Sequence, residues 1–134
     1  MKLLNLILFA VGLVFSLPVL SAGETPPFKV VSGCQASDYV FAESPAAIEI
    51  SGFKFIPKCL KVKAGATVTL SANLSHPSQG IQSSDGPENP FFHPSGEVTS
   101  DVTVVLEKLG IFGYFCVNHG SSSGAGMAGA VLVE

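Results

Sequence analysis

Hydrophobic and polar residues alternate along several short segments of this chain. Alternation with a period of two is typical of strands that bury one face. The segments that show it are residues 48–55, 60–63 and 67–72, and we predict further strands over residues 102–106, 112–117 and 128–133. Within the first of them, Gly52 breaks the pattern and suits a bulge or a close backbone approach. No stretch of ten or more residues has a convincing 3.6-residue period, so we predict an all-β domain built as a sandwich or small barrel.

Two segments between the predicted strands do not fit as strands. Residues 75–96 are rich in Pro, Ser and Gly, and residues 120–126 are nearly all Gly and Ser. We predict both as loops. Each is bordered by a histidine, and a loop carrying such a residue on a rigid scaffold favours a functional role.

The N-terminus has the layout of a secretory signal peptide. Lys2 precedes an apolar run over residues 3–17, and small residues follow at 21–23. The run is short for a membrane span. We therefore expect a signal peptide over residues 1–22, cleavage after Ala22, one domain over residues 23–134, and a periplasmic or secreted protein with no membrane span after cleavage.

Charge excludes one class of function. The chain has a formal net charge of -3 and contains no arginine, and removal of Lys2 with the signal peptide makes it more negative by one. A basic surface for nucleic acids and a bidentate arginine site for phosphate are therefore absent from the sequence.

The cysteine count is odd. In an exported protein, three cysteines leave one thiol that is either reactive or occupied. Cys34 and Cys59 lie in the first half of the chain, whereas Cys116 stands beside His119.

A candidate metal site follows from the residues around the Gly/Ser segment. Cys116, His119 and Met127 place a thiol, an imidazole and a thioether at the end of one predicted strand, in the following loop and at the start of the next strand. Soft sulfur together with imidazole suits copper. A lone Cys-x-x-His or a lone Met is a weak signal. Their joint occurrence with an odd cysteine, around a segment with no aliphatic side chain larger than Ala, favours a copper site.

These residues resemble a known family. Residues 112–120 (FGYFCVNHG) and 124–129 (GAGMAG), with 53–57 (FKFIP) and 60–69 (LKVKAGATVT) upstream, are similar to the plastocyanin/azurin family of cupredoxins, above all to its bacterial plastocyanin-like members. The resemblance covers roughly residues 48–134. It implies an eight-stranded Greek-key β-sandwich with one type 1 copper ion at one end. It also implies one-electron transfer, with no enzymatic activity.

The first histidine ligand is less clearly indicated. His76 fits the family by position, eight residues after Val68 and forty before Cys116. An alignment on residues 81–85 instead places Gln79 at the ligand position, although an amide replaces an equatorial imidazole poorly, and His93 is a further candidate. We predict that copper is bound by the following residues: His76, Cys116, His119 and Met127.

With Cys116 assigned to the metal, Cys34 and Cys59 are the natural disulfide pair. Closing such a loop would stabilise the fold by about 3 kcal/mol. A rival hypothesis joins Cys34 or Cys59 with Cys116 and His119 in a zinc site, but structural zinc prefers two closely spaced ligand pairs and only one is present.

The leading hypothesis is an exported electron carrier. By resemblance, His119 would lie nearest the surface, and redox partner proteins would dock around it transiently on a monomer. The first alternative is copper scavenging or delivery, which the scarcity of methionine disfavours. A second-copper enzyme would need more than the one histidine that remains, and a sandwich that binds no metal is the last alternative.

Overall fold

The computed structural model describes residues 27–134, so the predicted signal peptide lies outside the described residues. The described part contains a short 3-10 helix, η1, at Ala36–Asp38, followed by nine strands. The strands are β1 (Val40–Phe41), β2 (Ala46–Ser51), β3 (Lys54–Ile56), β4 (Cys59–Val62), β5 (Ala66–Leu70), β6 (Ser78–Ile81), β7 (Val102–Leu106), β8 (Gly110–Gly120) and β9 (Gly126–Val133). Within residues 27–134, no helix has the length and apolar character needed to cross a membrane.

The strands form two sheets that pack face to face. One sheet has the strand order β1-β4-β9-β8-β6 and the other β3-β2-β5-β7. The alternation in the sequence corresponds to alternating burial, as predicted. In β5, Ala66, Val68 and Leu70 are buried and the residues between them are half-buried. The all-β sandwich prediction is confirmed, with nine strands in the described part rather than the eight that the resemblance implies.

The segment predicted as one strand with a bulge at Gly52 is instead a hairpin. Strands β2 and β3 pair antiparallel with Ser51 opposite Lys54, which leaves Gly52 and Phe53 as a two-residue turn. Gly52 has φ +58°, and two-residue hairpin turns need such a positive φ, which glycine adopts without strain. The bulge interpretation is therefore wrong, and the side chain of Phe53 is placed at a hairpin tip.

The long segment 75–96, predicted as a loop, contains strand β6. This strand pairs antiparallel with β8, with Ser78 opposite Cys116 and Ile81 opposite Gly113. Of its four residues, Ser-Gln-Gly-Ile, only Ile81 has a strong β propensity. The strand forms because its backbone pairs with that of β8. This is a tertiary effect that the local sequence pattern does not reveal.

The rest of that segment is held to the sandwich by Asn89 and Phe91. The buried Asn89 side chain donates hydrogen bonds to the carbonyls of Ile81 and Gly113 and accepts one from the Phe91 amide. The Phe91 ring is 1% exposed and meets Tyr114 edge-on at a centroid distance of 5.8 Å. Phe91 thus belongs to the hydrophobic core and fixes this segment to the sandwich.

Cys34 and Cys59 form a disulfide, as predicted. The bond ties the N-terminal segment to β4, and with Tyr39 and Ala130 it forms a second, smaller buried cluster. Because both sulfurs are used in this bond, the rival zinc site built from Cys34 or Cys59 is excluded.

Candidate metal centre

An irregularity in the β8–β9 ladder creates the site. The ladder pairs Phe115 with Ala128 and next pairs Gly120 with Gly126. Four residues of β8, from Cys116 to His119, therefore lie opposite the single residue Met127. Extra residues in one strand bend it and redirect its side chains. Here they bring Cys116 Sγ within 3.5 Å of His119 Nδ1.

Glycine is needed on both sides of this irregularity. A Cβ added to Gly120 would overlap the carbonyl oxygen of Met127. One added to Gly126, which has φ +70°, would lie 2.5 Å from the carbonyl oxygen of His119. The two backbones that carry His119 and Met127 can approach this closely only because neither glycine has a side chain.

His76 reaches the same place from the turn between β5 and β6. Its backbone and that of Asn73 exchange two hydrogen bonds, of 3.1 and 3.2 Å, and the Asn73 side chain accepts a further bond from the His76 amide. The turn is also bonded to β8. The Val117 amide donates to the Pro77 carbonyl at 2.8 Å, and the Asn118 side chain donates to the Ser75 carbonyl at 3.2 Å.

The resulting cluster consists of one thiol and two imidazoles. The Nδ1 atom of His76 lies 3.8 Å from Cys116 Sγ, and one ligand atom from each of His76, Cys116 and His119 lies within 4.8 Å of the others. Cys116 is fully buried, His76 is half-buried and His119 is exposed. Both histidines direct Nδ1 towards the sulfur.

The chemistry of this donor set fits copper. A thiolate with two imidazoles and a weak thioether ligand is the set found at blue-copper sites. Met127 is 3% exposed and belongs to the same core cluster as Cys116. Its position opposite residues 116–119 places the thioether on the strand that faces the thiol and the second imidazole.

The sequence did not single out Phe53, which contacts the site. Its ring centroid lies 4.7 Å from that of His119 and 5.8 Å from that of His76, edge-on in both cases. The ring is 67% exposed and so forms part of the outer wall of the site. Interpreting Gly52 as a turn glycine would have placed Phe53 at a hairpin tip, which is the one sequence signal that could have drawn attention to it.

Gln79 and His93, the alternatives to His76, do not join the cluster. The Gln79 amide nitrogen donates to the carbonyls of His93 (2.9 Å) and Gly96 (3.0 Å). Its oxygen accepts from the amides of Gly80 (2.9 Å) and His93 (2.8 Å). Gln79 therefore holds the segment after β6, and its side chain is fully used in doing so.

Comparison with known proteins finds sequence similarity to two plastocyanins. No family model matches the chain. It is 28% identical over 125 residues to the chloroplastic plastocyanin of Pisum sativum, covering 80% of this chain and 71% of that protein. It is 30% identical over 91 residues to the chloroplastic plastocyanin of Chlamydomonas reinhardtii, covering 60% of this chain and 59% of that protein.

Among solved structures, a copper-containing nitrite reductase from Thermus scotoductus superposes with a TM-score of 0.52 at 17% identity. The superposition covers 73% of this chain but only 28% of the reductase. At this identity the likeness concerns the fold alone.

Proposed function

Because the chain is similar in sequence to two plastocyanins, we propose that it is a cupredoxin, a small type 1 copper protein that carries single electrons between redox partners. The observation that carries this proposal is the convergence of one buried thiol and two imidazole Nδ1 atoms within 4.8 Å. The copper ligands would be the following residues: His76, Cys116, His119 and Met127. Bound copper would supply a centre that gains and loses one electron.

The chain's own residues serve such a carrier by holding the ligands still. Cys116 pairs with Ser78 of β6 and is fully buried, so its sulfur is shielded from solvent and from oxidants. The turn that carries His76 is hydrogen-bonded both within itself and to β8. Since the ligands sit on paired strands and a bonded turn, little rearrangement would accompany a change of charge at the site.

His119 would be the point where electrons enter or leave. It is the exposed member of the cluster, and large apolar side chains lie exposed on the segments around it: Phe53 at 67%, Leu74 at 82% and Val117 at 38%. A small apolar surface of this kind suits brief docking of redox partner proteins. We propose that the protein is exported to the periplasm or secreted, and works as a monomer.

Burial of the thiol favours a carrier over a protein that scavenges or delivers copper. A delivery site has to exchange its ion and should be open, whereas Cys116 has no exposed surface. An enzyme with a second copper is also disfavoured, because His93 is the only histidine left outside the proposed site.

The test is the visible spectrum of the purified protein loaded with copper(II). We expect an intense thiolate-to-copper absorption band that disappears in Cys116→Ser. An unmutated, copper-loaded protein without this band would refute the proposal. Carrier and delivery functions separate on reduction in the presence of a copper(I) chelator, because a carrier retains its ion and a delivery protein gives it up.

A further inference from the structure

The turn at residues 31–34 has an unusual backbone conformation. The Cys34 amide donates to the Val31 carbonyl at 2.9 Å, and the two residues between them have φ +52° (Ser32) and +73° (Gly33). Ser32 is the one non-glycine residue with positive φ in the described part of the chain. A residue persists in this sparsely populated conformation when its surroundings enforce it, often at functional positions.

The surroundings of Ser32 include the loop that links the two proposed ligands His119 and Met127. A Cβ added to Gly124 of that loop would lie 2.8 Å from Ser32 Cα, 3.0 Å from its backbone nitrogen and 3.1 Å from its Oγ. Ser32 is 5% exposed, and its buried hydroxyl has no hydrogen-bond partner among the described residues. The two backbones are thus in direct contact, without space for a side chain on Gly124.

The turn is also anchored covalently. Cys34, its last residue, is bonded to Cys59 on β4, and Cys59 lies beside Ala130 on β9, the strand that begins next to Met127. Both sulfurs are buried, at 0% and 7% residue exposure. The turn therefore cannot move away from the sheet while the disulfide is intact.

The loop that the turn contacts has few restraints of its own. Residues 121–125 are Ser-Ser-Ser-Gly-Ala, which provide no large apolar side chain to bury. Two backbone hydrogen bonds, from Ser121 to Ala125 and from Gly124 to Ser121, close it on itself. An external contact would limit the conformations of such a loop more than these bonds alone.

We propose that the disulfide-anchored turn 31–34 positions the loop 121–125, and through it sets the spacing between His119 and Met127. The disulfide and the Gly/Ser loop, which are far apart in the sequence, then act together on the geometry of the site. The effect on bound copper rests on the proposed function, whereas the effect on the loop does not.

The test begins with metal-free protein and a thiol reagent, because Cys116 is the free cysteine of the described chain and is buried. In Cys34→Ala/Cys59→Ala and in Gly124→Ala, a loosened loop should expose Cys116 and speed its labelling by about tenfold. The matched control is Gly65→Ala. Gly65 has a similar φ of +89°, against +83° for Gly124, but an added Cβ there meets nothing within 4 Å.

The second measurement is the spectrum of the copper-loaded variants, which a merely structural role of the turn would leave unchanged. We expect the thiolate-to-copper bands of Gly124→Ala to change in relative intensity, and those of Gly65→Ala to match the unmutated protein. Equal labelling of Cys116 in Gly124→Ala and Gly65→Ala would overturn the proposal, as would labelling of the double cysteine variant at the unmutated rate. If the double cysteine variant does not fold, the comparison of Gly124→Ala with Gly65→Ala tests the proposal. If none of the proteins binds copper, the labelling rates of Cys116 still test the effect of the turn on the loop.

Discussion

Replacing Gln79 by leucine should lower stability and leave the copper site intact. The Gln79 side chain makes four hydrogen bonds of 2.8–3.0 Å to backbone groups of Gly80, His93 and Gly96. Leucine is similar in size but can make none of them. With a net contribution of about 0.5–1.5 kcal/mol for each bond, we expect the free energy of unfolding to fall by about 3 kcal/mol.

The assay is thermal or denaturant unfolding of the metal-free protein, because a bound ion would stabilise the folded state by mass action. For a domain of this size, a loss of about 3 kcal/mol lowers the melting temperature by about 15 °C. The copper-loaded variant, kept below its melting temperature, should retain the visible band. His76→Ala should do the opposite and abolish the band, while its loss of the Phe53 contact costs only about 1 kcal/mol of stability.

Two results would refute this reasoning. If Gln79→Leu lost the band at unchanged stability, the amide would be a ligand and its hydrogen bonds to the loop would be incidental. If His93→Ala lost the band while His76→Ala kept it, His93 would be the first histidine ligand and the cluster described here would not be the metal site.

Three further changes probe the site and the core. Gly126→Ala should disturb or abolish the copper band, because its Cβ would lie 2.5 Å from a carbonyl oxygen, whereas Gly65→Ala, also at positive φ, should keep the band; equal spectra would contradict the close-approach argument. Phe91→Ala should cost about 3–5 kcal/mol in denaturant unfolding, since its ring is 1% exposed, and a loss below 1 kcal/mol would show that the segment is not part of the core. Stability should also fall as the pH rises from 10 to 12: burial, with a nearby acidic charge, raises the pKa of Tyr39 from 10.0 to about 12, and burial raises that of Tyr114 above the usual range. As the pH rises, both phenols therefore lose their protons first in the unfolded state, which favours unfolding. Denaturant unfolding at several pH values between 10 and 12 measures this loss of stability. Tyr114→Phe should make the free energy of unfolding depend less steeply on pH, and an unchanged dependence would count against the argument.

Much of the strand content was predictable because it is local. Residues 102–106 were predicted as a strand and form β7 with the same bounds, since each alternate side chain faces the core and leaves a period of two in the sequence. The hairpin at Gly52 was missed because a glycine within an alternating segment is compatible with either a bulge or a turn. Only the pairing of β2 with β3 distinguishes the two.

Strand β6 shows the limit of local pattern more clearly. Three of its four residues have little preference for a strand, and the segment forms one because β8 lies beside it. The role of Phe53 was hidden for the same reason, since a contact between a hairpin tip and two histidines 23 and 66 residues away leaves no trace in spacing.

By itself, the sequence determined the all-β class and the association of Cys116, His119 and Met127, because these three lie within twelve residues along two adjoining strands. The remaining ligand was indicated less directly: His76 is predicted with Gln79 and His93 as alternatives, since the link from residue 76 to Cys116 spans forty residues. Tertiary structure decided which of them lies near the thiol. The pairing of Ser78 with Cys116 brings the preceding turn, and with it His76, to the sulfur. Gln79 follows Ser78 in β6 and points to the other face of the sheet, where its side chain bonds to the segment after β6. In a strand, side chains that are neighbours in sequence point to opposite faces, so the register between two strands, which pattern alone does not specify, selects the residue that reaches the site.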